Sequence, residues 1–432
     1  MTLAVRFTGR LDALTANDRR AIVERARTEV DERVEQSVRA ILGRVRREGD
    51  AAVLELTRTF DKAAIDALEV PLAACDAALL RLDGGVRRGL ERAAKNLATV
   101  HRAFVPSAVE VESEPGVLVG RRPDPLAAVG VYAPGGRAAY PSSVLMGVVP
   151  ARVAGVAEIV VASPPGPSGL PSDVVLAAAA IGGATRVFAM GGAQAVGALA
   201  YGTASVPKVD RIVGPGNAWV AEAKRQVAGT VGIDAPAGPS EILVIADEAA
   251  DPAMIARELC AQAEHDPEAS CVALVLGDPG PVERALAAMD PPKRALVAQA
   301  LSTAGAILAV GSLDEAVAFA AEYCAEHLLL AVRDPEALLP RIRHAGTIFL
   351  GDGSSVAFGD YLTGGNHVLP TAGAGRSFSG LSTLDFVRFS TYQRVTRAAA
   401  ARMAGDVGLL ADAEGLPSHA AAARAYANED PR

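Results

Sequence analysis

The chain has 432 residues, of which 50% are hydrophobic and 21% charged, and carries a formal net charge of −8. Its length predicts two or three domains, each able to bury a core, and its composition excludes wholesale disorder. The excess of carboxylates excludes a general nucleic-acid binder, which needs a basic face to neutralise phosphates.

The first twenty residues are too interrupted by charge for a secretory leader. The longest apolar run, Val174 to Ile181, stops at Gly182 and Gly183. That is well short of the roughly 20 residues a membrane span needs. Four cysteines (Cys75, Cys260, Cys271 and Cys324) show no CxxC spacing and read as reduced thiols in a cytoplasmic protein.

Residues 17 to about 104 read as helical, with apolar residues at helical spacing in Val38, Ile41, Leu42 and Val45. A break falls at Asp61 to Pro71. Arg121 to Pro125 marks a charged, proline-containing boundary. Short apolar runs then alternate with helical segments. Candidate strands are Leu126–Tyr132, Glu158–Ala162, Arg186–Met190, Val209–Val213, Glu241–Ala246, Cys271–Leu276, Ala306–Val310, Leu328–Val332 and Thr347–Leu350. Unbroken apolar runs suit parallel strands covered on both faces, so the pattern predicts two α/β domains with parallel sheets. Their seam is expected near Ile233–Ser240. After Leu350 some thirty Gly-, Ser- and Thr-rich residues lack periodicity, which favours a functional loop. The tail from about Leu381 reads as helical again.

Four glycine-containing turns border the apolar runs: APGGRAAYPSS after Tyr132, MGGAQA after Phe188, VGPGN after Ile212 and APAGPSE before Ile242. Such turns let backbone N–H groups approach a ligand at the carboxyl ends of strands. Several together could hold a dinucleotide, although neither GxGxxG nor GxxxxGK[ST] is present.

The chain has six histidines. Gln262 and His265 sit at i and i+3 near the end of a helix, where both reach one face. Spacing alone favours a capped, solvated helix end over a metal site. Glu326 and His327 enter an apolar run, which fits either a satisfied histidine beside a surface carboxylate or an acid/base pair. Asp360 lies in the glycine-rich loop, where carboxylates often only close turns. Glu414 and His419 lie in the tail, where a histidine is usually solvated. Together Gln262, His265, Asp360 and His419 make a plausible nitrogen and oxygen ligand set for zinc.

In order along the chain, GVYAPGGRAAYPSSVLMGVVPARVAGV, MGGAQAVGALAYGT, DRIVGPGNAWVAEAKRQV, APAGPSEILVIAD, QAEHDP, EHL, GDYLTGGNHVLPT and AEGLPSHAAAA resemble the histidinol dehydrogenase family. The resemblance runs from about residue 20 to 425. It implies two Rossmann-like parallel-sheet domains with a helical N-terminal region and a helical C-terminal tail. The implied boundaries are an N-terminal arm at 1–27, an α/β domain of 28–131 plus 240–378 carrying most zinc and catalytic residues, an NAD-contacting α/β domain at 132–239, and a tail at 379–432. It further implies NAD contacts at Tyr132, Gln194 and Asn217, and one zinc per subunit on Gln262, His265, Asp360 and His419. The implied catalytic pair is Glu326 and His327. Ser240, His367 and Glu414 would contact the substrate, L-histidinol, along with the ligands and the pair. A homodimer is implied in which the tail completes the partner's site. On this reading His327 is the base for the alcohol, Glu326 activates water at the aldehyde stage, and two NAD are consumed. Two departures from the family pattern stand out. Ala325 replaces the usual Pro before Glu-His, which would loosen the backbone there, and SSVAF replaces a Thr-Pro-Glu-like segment before Asp360.

Overall fold

A computed structural model describes residues 2–25, 32–135, 139–235 and 238–428. The expected domain boundary at 27/28, Gly136 to Ala138 of the first glycine-rich turn, and Pro236 and Ala237 of the fourth lie outside the described residues.

The chain opens with β1 (Phe7–Arg10), α1 (Ala16–Val23), α2 (Glu32–Glu48) and α3 (Asp50–Phe60). Next come β2 (Glu69–Val70), α4 (Leu72–Arg81), α5 (Gly84–Ala103) and the hairpin of β3 (Val109–Glu114) and β4 (Val117–Pro125). The first run of strand–helix alternation is β5 (Ala128–Tyr132), α6 (Pro141–Ala154), β6 (Glu158–Ser163), α7 (Asp173–Gly182), β7 (Arg186–Ala189), α8 (Gly192–Tyr201), β8 (Arg211–Val213), α9 (Ala218–Val227) and β9 (Gly232–Ile233). The second is β10 (Glu241–Ala246), α10 (Pro252–Ala263), β11 (Ser270–Leu276), α11 (Gly280–Ala288), α12 (Arg294–Ala304), β12 (Gly305–Val310), α13 (Leu313–Tyr323), β13 (His327–Ala331), α14 (Pro335–Leu338), β14 (Thr347–Leu350) and α15 (Val356–Tyr361). The tail carries β15 (Val387–Val395), α16 (Arg397–Ala413) and α17 (Pro417–Arg424).

These elements form two compact units. One joins Met1–Phe104 to Leu126–Phe386; the other joins Val105–Pro125 to Val387–Arg432. The first holds two six-stranded sheets, ordered β2-β7-β6-β5-β8-β9 and β1-β12-β11-β10-β13-β14. All pairings are parallel except that of β2 with β7. The expected seam is real, since one sheet ends at Ile233 and the next begins at Glu241. In each sheet the strand order reverses beside the first strand of its run, between β5 and β8 and between β10 and β13.

Both faces of the second sheet are covered, as the unbroken apolar runs predict. Ile242, Val244 and Ala246 of β10 enter one core with α10, while Leu243 and Ile245 enter the opposite core with α13. The first sheet is covered on one side by α2, α3, α8 and α9. Helix α2 presents Val38, Ile41, Leu42 and Val45 to this core, the stripe its spacing predicts.

The second unit corrects one expectation and refines another. The tail is not helical throughout, because β15 occupies Val387–Val395, and Arg121–Pro125, although it ends at the boundary between the units, is itself the end of strand β4. These strands form an antiparallel sheet ordered β15-β4-β3. Its two proline-bearing positions lie beyond the reach of β3, whose pairing with β4 ends at Arg121. Pro123 and Pro125 therefore face a neighbour on one side only, where a missing N–H costs least. Strand β3 (VEVESE) is exposed along its whole length, so no apolar run announces it.

Candidate active site

In open α/β sheets, ligands bind outside the carboxyl ends of the strands where strand order reverses. At this edge of the first sheet stands Tyr132, the last residue of β5. Burial pushes its phenol up to about 12, even though the Gly192 N–H donates to its oxygen at 3.1 Å. The hydroxyl proton stays free to be donated. Gln194, buried in the first turn of α8, holds its Nε2 3.5 Å from Oδ2 of Asp61. Burial lifts the Asp61 carboxyl to about 6. Asn217, exposed, caps α9, its Oδ1 accepting the N–H groups of Trp219 and Val220 at 3.1 Å each, so the cap does not use its Nδ2. The turn before it is held by a buried ion pair. Gly214 donates its N–H to Asp234 at 2.7 Å, and Lys224 donates to the Gly214 carbonyl at 2.9 Å. Tyr132, Gln194 and Asn217 thus all lie at the carboxyl edge of the first sheet.

The second sheet works from its opposite edge. Glu241 is the first residue of β10 and His327 the first of β13, so the polar cluster lies at the amino ends of these strands. Helix α10 runs back across the sheet and delivers Gln262, in its last turn, to the same edge, with His265 just beyond. Ser240, half-buried, immediately precedes β10.

Glu326 and His327 are both buried. The Nδ1–H of His327 donates to the Glu241 carbonyl at 2.9 Å, with Glu326 Oε2 3.4 Å away. Its Nε2 lies 3.5 Å from Asp360 Oδ1 and makes no hydrogen bond. Burial alone would lower the His327 pKa. The charges of Glu326 and Asp360 outweigh it and hold the imidazole well above its usual 6.5. Burial works in the opposite sense on Asp360. There the neighbouring His327, then His367 and His265, prevail and hold the carboxyl below its usual range. Asp360 therefore feels three of the histidines.

The SSVAF segment leads from Ser354 and Ser355 into the first turn of α15. The Val356 N–H donates to Glu258 Oε2 at 3.1 Å, and Ser354 Oγ donates to the Leu350 carbonyl at 2.6 Å. His367 donates from Nδ1 to the Asp360 carbonyl at 2.9 Å, and its Nε2 lies 3.3 Å from Ser143 Oγ on α6. Burial keeps its pKa below the usual value. His327, Phe349, Ser355, Asp360, Thr363 and His367 line a cavity of about 430 Å³. Around Ala325 the backbone is tied by hydrogen bonds on both sides. Gly346 donates to the Ala325 carbonyl at 2.9 Å, and the Glu326 N–H is bound by Glu241.

Glu414 and His419 belong to the second unit, Glu414 at the end of α16 and His419 within α17, and both are exposed. Among the described residues no group of three or more His, Cys, Asp or Glu side chains is arranged to hold a metal ion. One observation bears on the expected zinc set. Gln262 Nε2 is buried without a hydrogen-bond partner. The two ends of a carboxamide are assigned only from its bonding network, so the same side chain can offer its oxygen there.

The sequence and the architecture match known proteins over nearly their whole length. The family profile of histidinol dehydrogenase matches residues 23–426. The chain belongs to the histidinol dehydrogenase family. It is 45% identical to the histidinol dehydrogenase of Methanothermobacter thermautotrophicus, covering 92% of this chain and 94% of the other. It is 46% identical to that of Chromobacterium violaceum, covering 96% and 95%. The crystal structure of histidinol dehydrogenase from Elizabethkingia anophelis superposes with a TM-score of 0.92 at 31% identity, covering 98% of each chain. The α/β architecture of two parallel sheets is thus that of the histidinol dehydrogenase family, and the chain is an oxidoreductase.

Several polar residues of this family member escape a reading of the sequence. Glu241 heads an apolar strand, the same signal that exposes Glu326 and His327. Ser143 and Glu258 carry no motif. Asp61 falls in a break between helices, and Arg25 in a run of charged residues.

Proposed function

We propose that this chain oxidises L-histidinol through L-histidinal to L-histidine, passing two hydrides to two molecules of NAD. The observation that carries the reading is the buried Glu326–His327 pair facing Asp360 beside the cavity, in a chain of this family. His327 takes the alcohol proton. Its Nδ1–H is committed to the Glu241 carbonyl, so the unpartnered Nε2 is the receiving atom. Asp360 and Glu326 favour the protonated imidazole. Were Asp360 to hold a metal ion, one of those charges would be withdrawn from the imidazole, and Nε2 would be the better base for it. Glu326 serves the second step. Its Oε2 is committed to the Glu241 N–H at 2.7 Å, and Oε1 takes the proton of the water that attacks the aldehyde. The resulting hydrate gives up the second hydride.

Gln262, His265 and Asp360, with His419, fit one zinc ion per subunit through a carboxamide oxygen, two imidazoles and a carboxylate. Bound there, zinc supplies a Lewis-acidic centre that orients the amine and imidazole nitrogens of the substrate. NAD, which accepts the hydrides, would be held by Tyr132, Gln194 and Asn217. Ser240, His367 and Glu414 would contact the substrate. Glu414 and His419 act on a partner subunit in a homodimer, a reading supported by Leu409 and Leu410 nearby, 66% and 68% exposed. The setting is cytoplasmic, consistent with four free, buried cysteines and with no described helix long and apolar enough to cross a membrane.

The test is the yield of NADH per L-histidinol with purified, zinc-loaded protein. Two NADH, lost on chelation, are expected. One would mean that the aldehyde escapes and that Glu326 is misassigned. None would move the substrate to another alcohol. His327→Asn should lower kcat for the alcohol step roughly 100-fold or more with zinc retained; near-normal turnover would remove His327 from the role of base.

A further inference from the structure

Arg25 reaches the catalytic pair from behind. Its guanidinium side chain is 3% exposed and that of its partner Glu241 is 1% exposed, with Nη2 2.6 Å from Glu241 Oε2. Nη1 donates to the Tyr323 carbonyl at 2.7 Å, and the guanidinium lies 3.3 Å from the centre of the Tyr323 ring. Glu241 in turn holds two backbone segments. Its Oε2 accepts the Glu326 N–H at 3.2 Å and its Oε1 accepts the Ala372 N–H at 2.7 Å. Glu326 returns the bond, its Oε2 accepting the Glu241 N–H at 2.7 Å. Two buried carboxylates therefore exchange backbone bonds between the starts of β10 and β13. Like charges this close cannot both stay ionised in a dry site without a cation. Burial, chiefly, pushes the Glu241 carboxyl up, and Arg25 opposes it.

We propose that Arg25, acting through Glu241, is a positioning residue that fixes the Glu326 carboxylate and the backbone at His327. Arg25 touches no reacting atom. It holds Glu241 Oε2 and opposes the burial that raises this carboxyl, so that Glu241 goes on accepting the Glu326 and Ala372 amides and Glu326 Oε2 stays on the Glu241 N–H. The proposal rests on Glu326 and His327 being the catalytic pair, and its test keeps the two claims separate.

The first readout needs no substrate. In Arg25→Met, hydrogen exchange at the Glu326 and Ala372 amides should rise roughly tenfold, while exchange in β11 stays at the wild-type rate. Unchanged exchange at those amides would overturn the proposal, whatever the enzyme oxidises. The second readout is kinetic. Arg25→Met and Glu241→Gln should lower kcat roughly tenfold or more while KM for L-histidinol moves by less than about threefold. Guanidinium ion should restore kcat in Arg25→Gly, and ammonium ion should not. A folded Glu241→Gln enzyme with normal kcat would also overturn it, and this variant decides the matter if the Arg25 variants do not fold. If the wild-type protein does not oxidise L-histidinol, the functional reading fails alone, and the exchange experiment still judges Arg25.

Discussion

A β-carbon at residue 214 would fall 2.1 Å from the Tyr132 carbonyl oxygen, and φ there is +115°. Only glycine combines that backbone with that approach. The turn keeps its shape because Lys224 and Asp234 grip Gly214 from both its carbonyl and its amide. Both charges are buried, so removing one leaves the other uncompensated. Lys224→Met should therefore cost about 3–5 kcal/mol of stability and weaken NAD binding. Urea titration and NADH-linked turnover would check this, and a loss below about 1 kcal/mol would mean that water reaches Asp234. The pair shows how unevenly a sequence exposes its site. Glu326 and His327 are legible because charge rarely enters a buried strand. Glu241 sends the same signal at the head of β10. Lys224 and Arg25 do not, since each sits among other charges and looks like a solvated helical residue. Arg25 meets Glu241 across 216 positions of sequence, and only the tertiary fold makes that contact.

At the scale of elements, α10 and α15 are joined by one side chain. Glu258 lies one turn before Gln262 on α10 and accepts the Val356 N–H, the first amide of α15, four residues before Asp360. A carboxylate at a helix N-terminus satisfies an otherwise orphaned donor. Here it also fixes the spacing between two of the proposed zinc ligands. Glu258→Ala should cost about 1.5–3 kcal/mol of stability, the range for a hydrogen bond to a charged group. Zinc affinity should fall roughly 10- to 100-fold, as when an outer partner of a metal ligand is removed. Competition with a chromophoric chelator would measure it, and unchanged affinity would show that α15 holds its place without Glu258. The same elements mark what is legible. Parallel strands read clearly because both faces are apolar. The antiparallel β3, β4 and β15 do not, because most of their side chains meet water on both faces and their sequences mix Val with Glu and Arg. Helix α15 escapes because six residues are too few to show a period.

For the whole molecule, the two sheets share a strand order but offer opposite edges, the carboxyl edge for the expected NAD residues and the amino edge for the acid/base cluster. Helix α5 packs against α6 and α7 of the first run, and its Asn96 donates to the Leu362 carbonyl just after α15 at 2.7 Å. Near its end His101 is 1% exposed, with neither ring nitrogen hydrogen-bonded. Burial lowers its pKa to about 4. The unfolded chain, with an ordinary imidazole near 6.5, binds the proton first as the pH falls. Stability is therefore fully present above pH 6.5 and drains between that value and about 4. Between pH 7.5 and 5 this one residue should remove about 2 kcal/mol. His101→Leu removes a titrating group and two unpartnered nitrogens while leaving intact the backbone carbonyl that accepts Thr383 Oγ1 at 2.9 Å. The variant should match or exceed the wild type at pH 7.5 and lose about 2 kcal/mol less on going to pH 5. Urea midpoints at the two values would show it. Parallel losses in both proteins would mean that water enters beside His101, and that the acid sensitivity of the fold resides in its carboxylates instead.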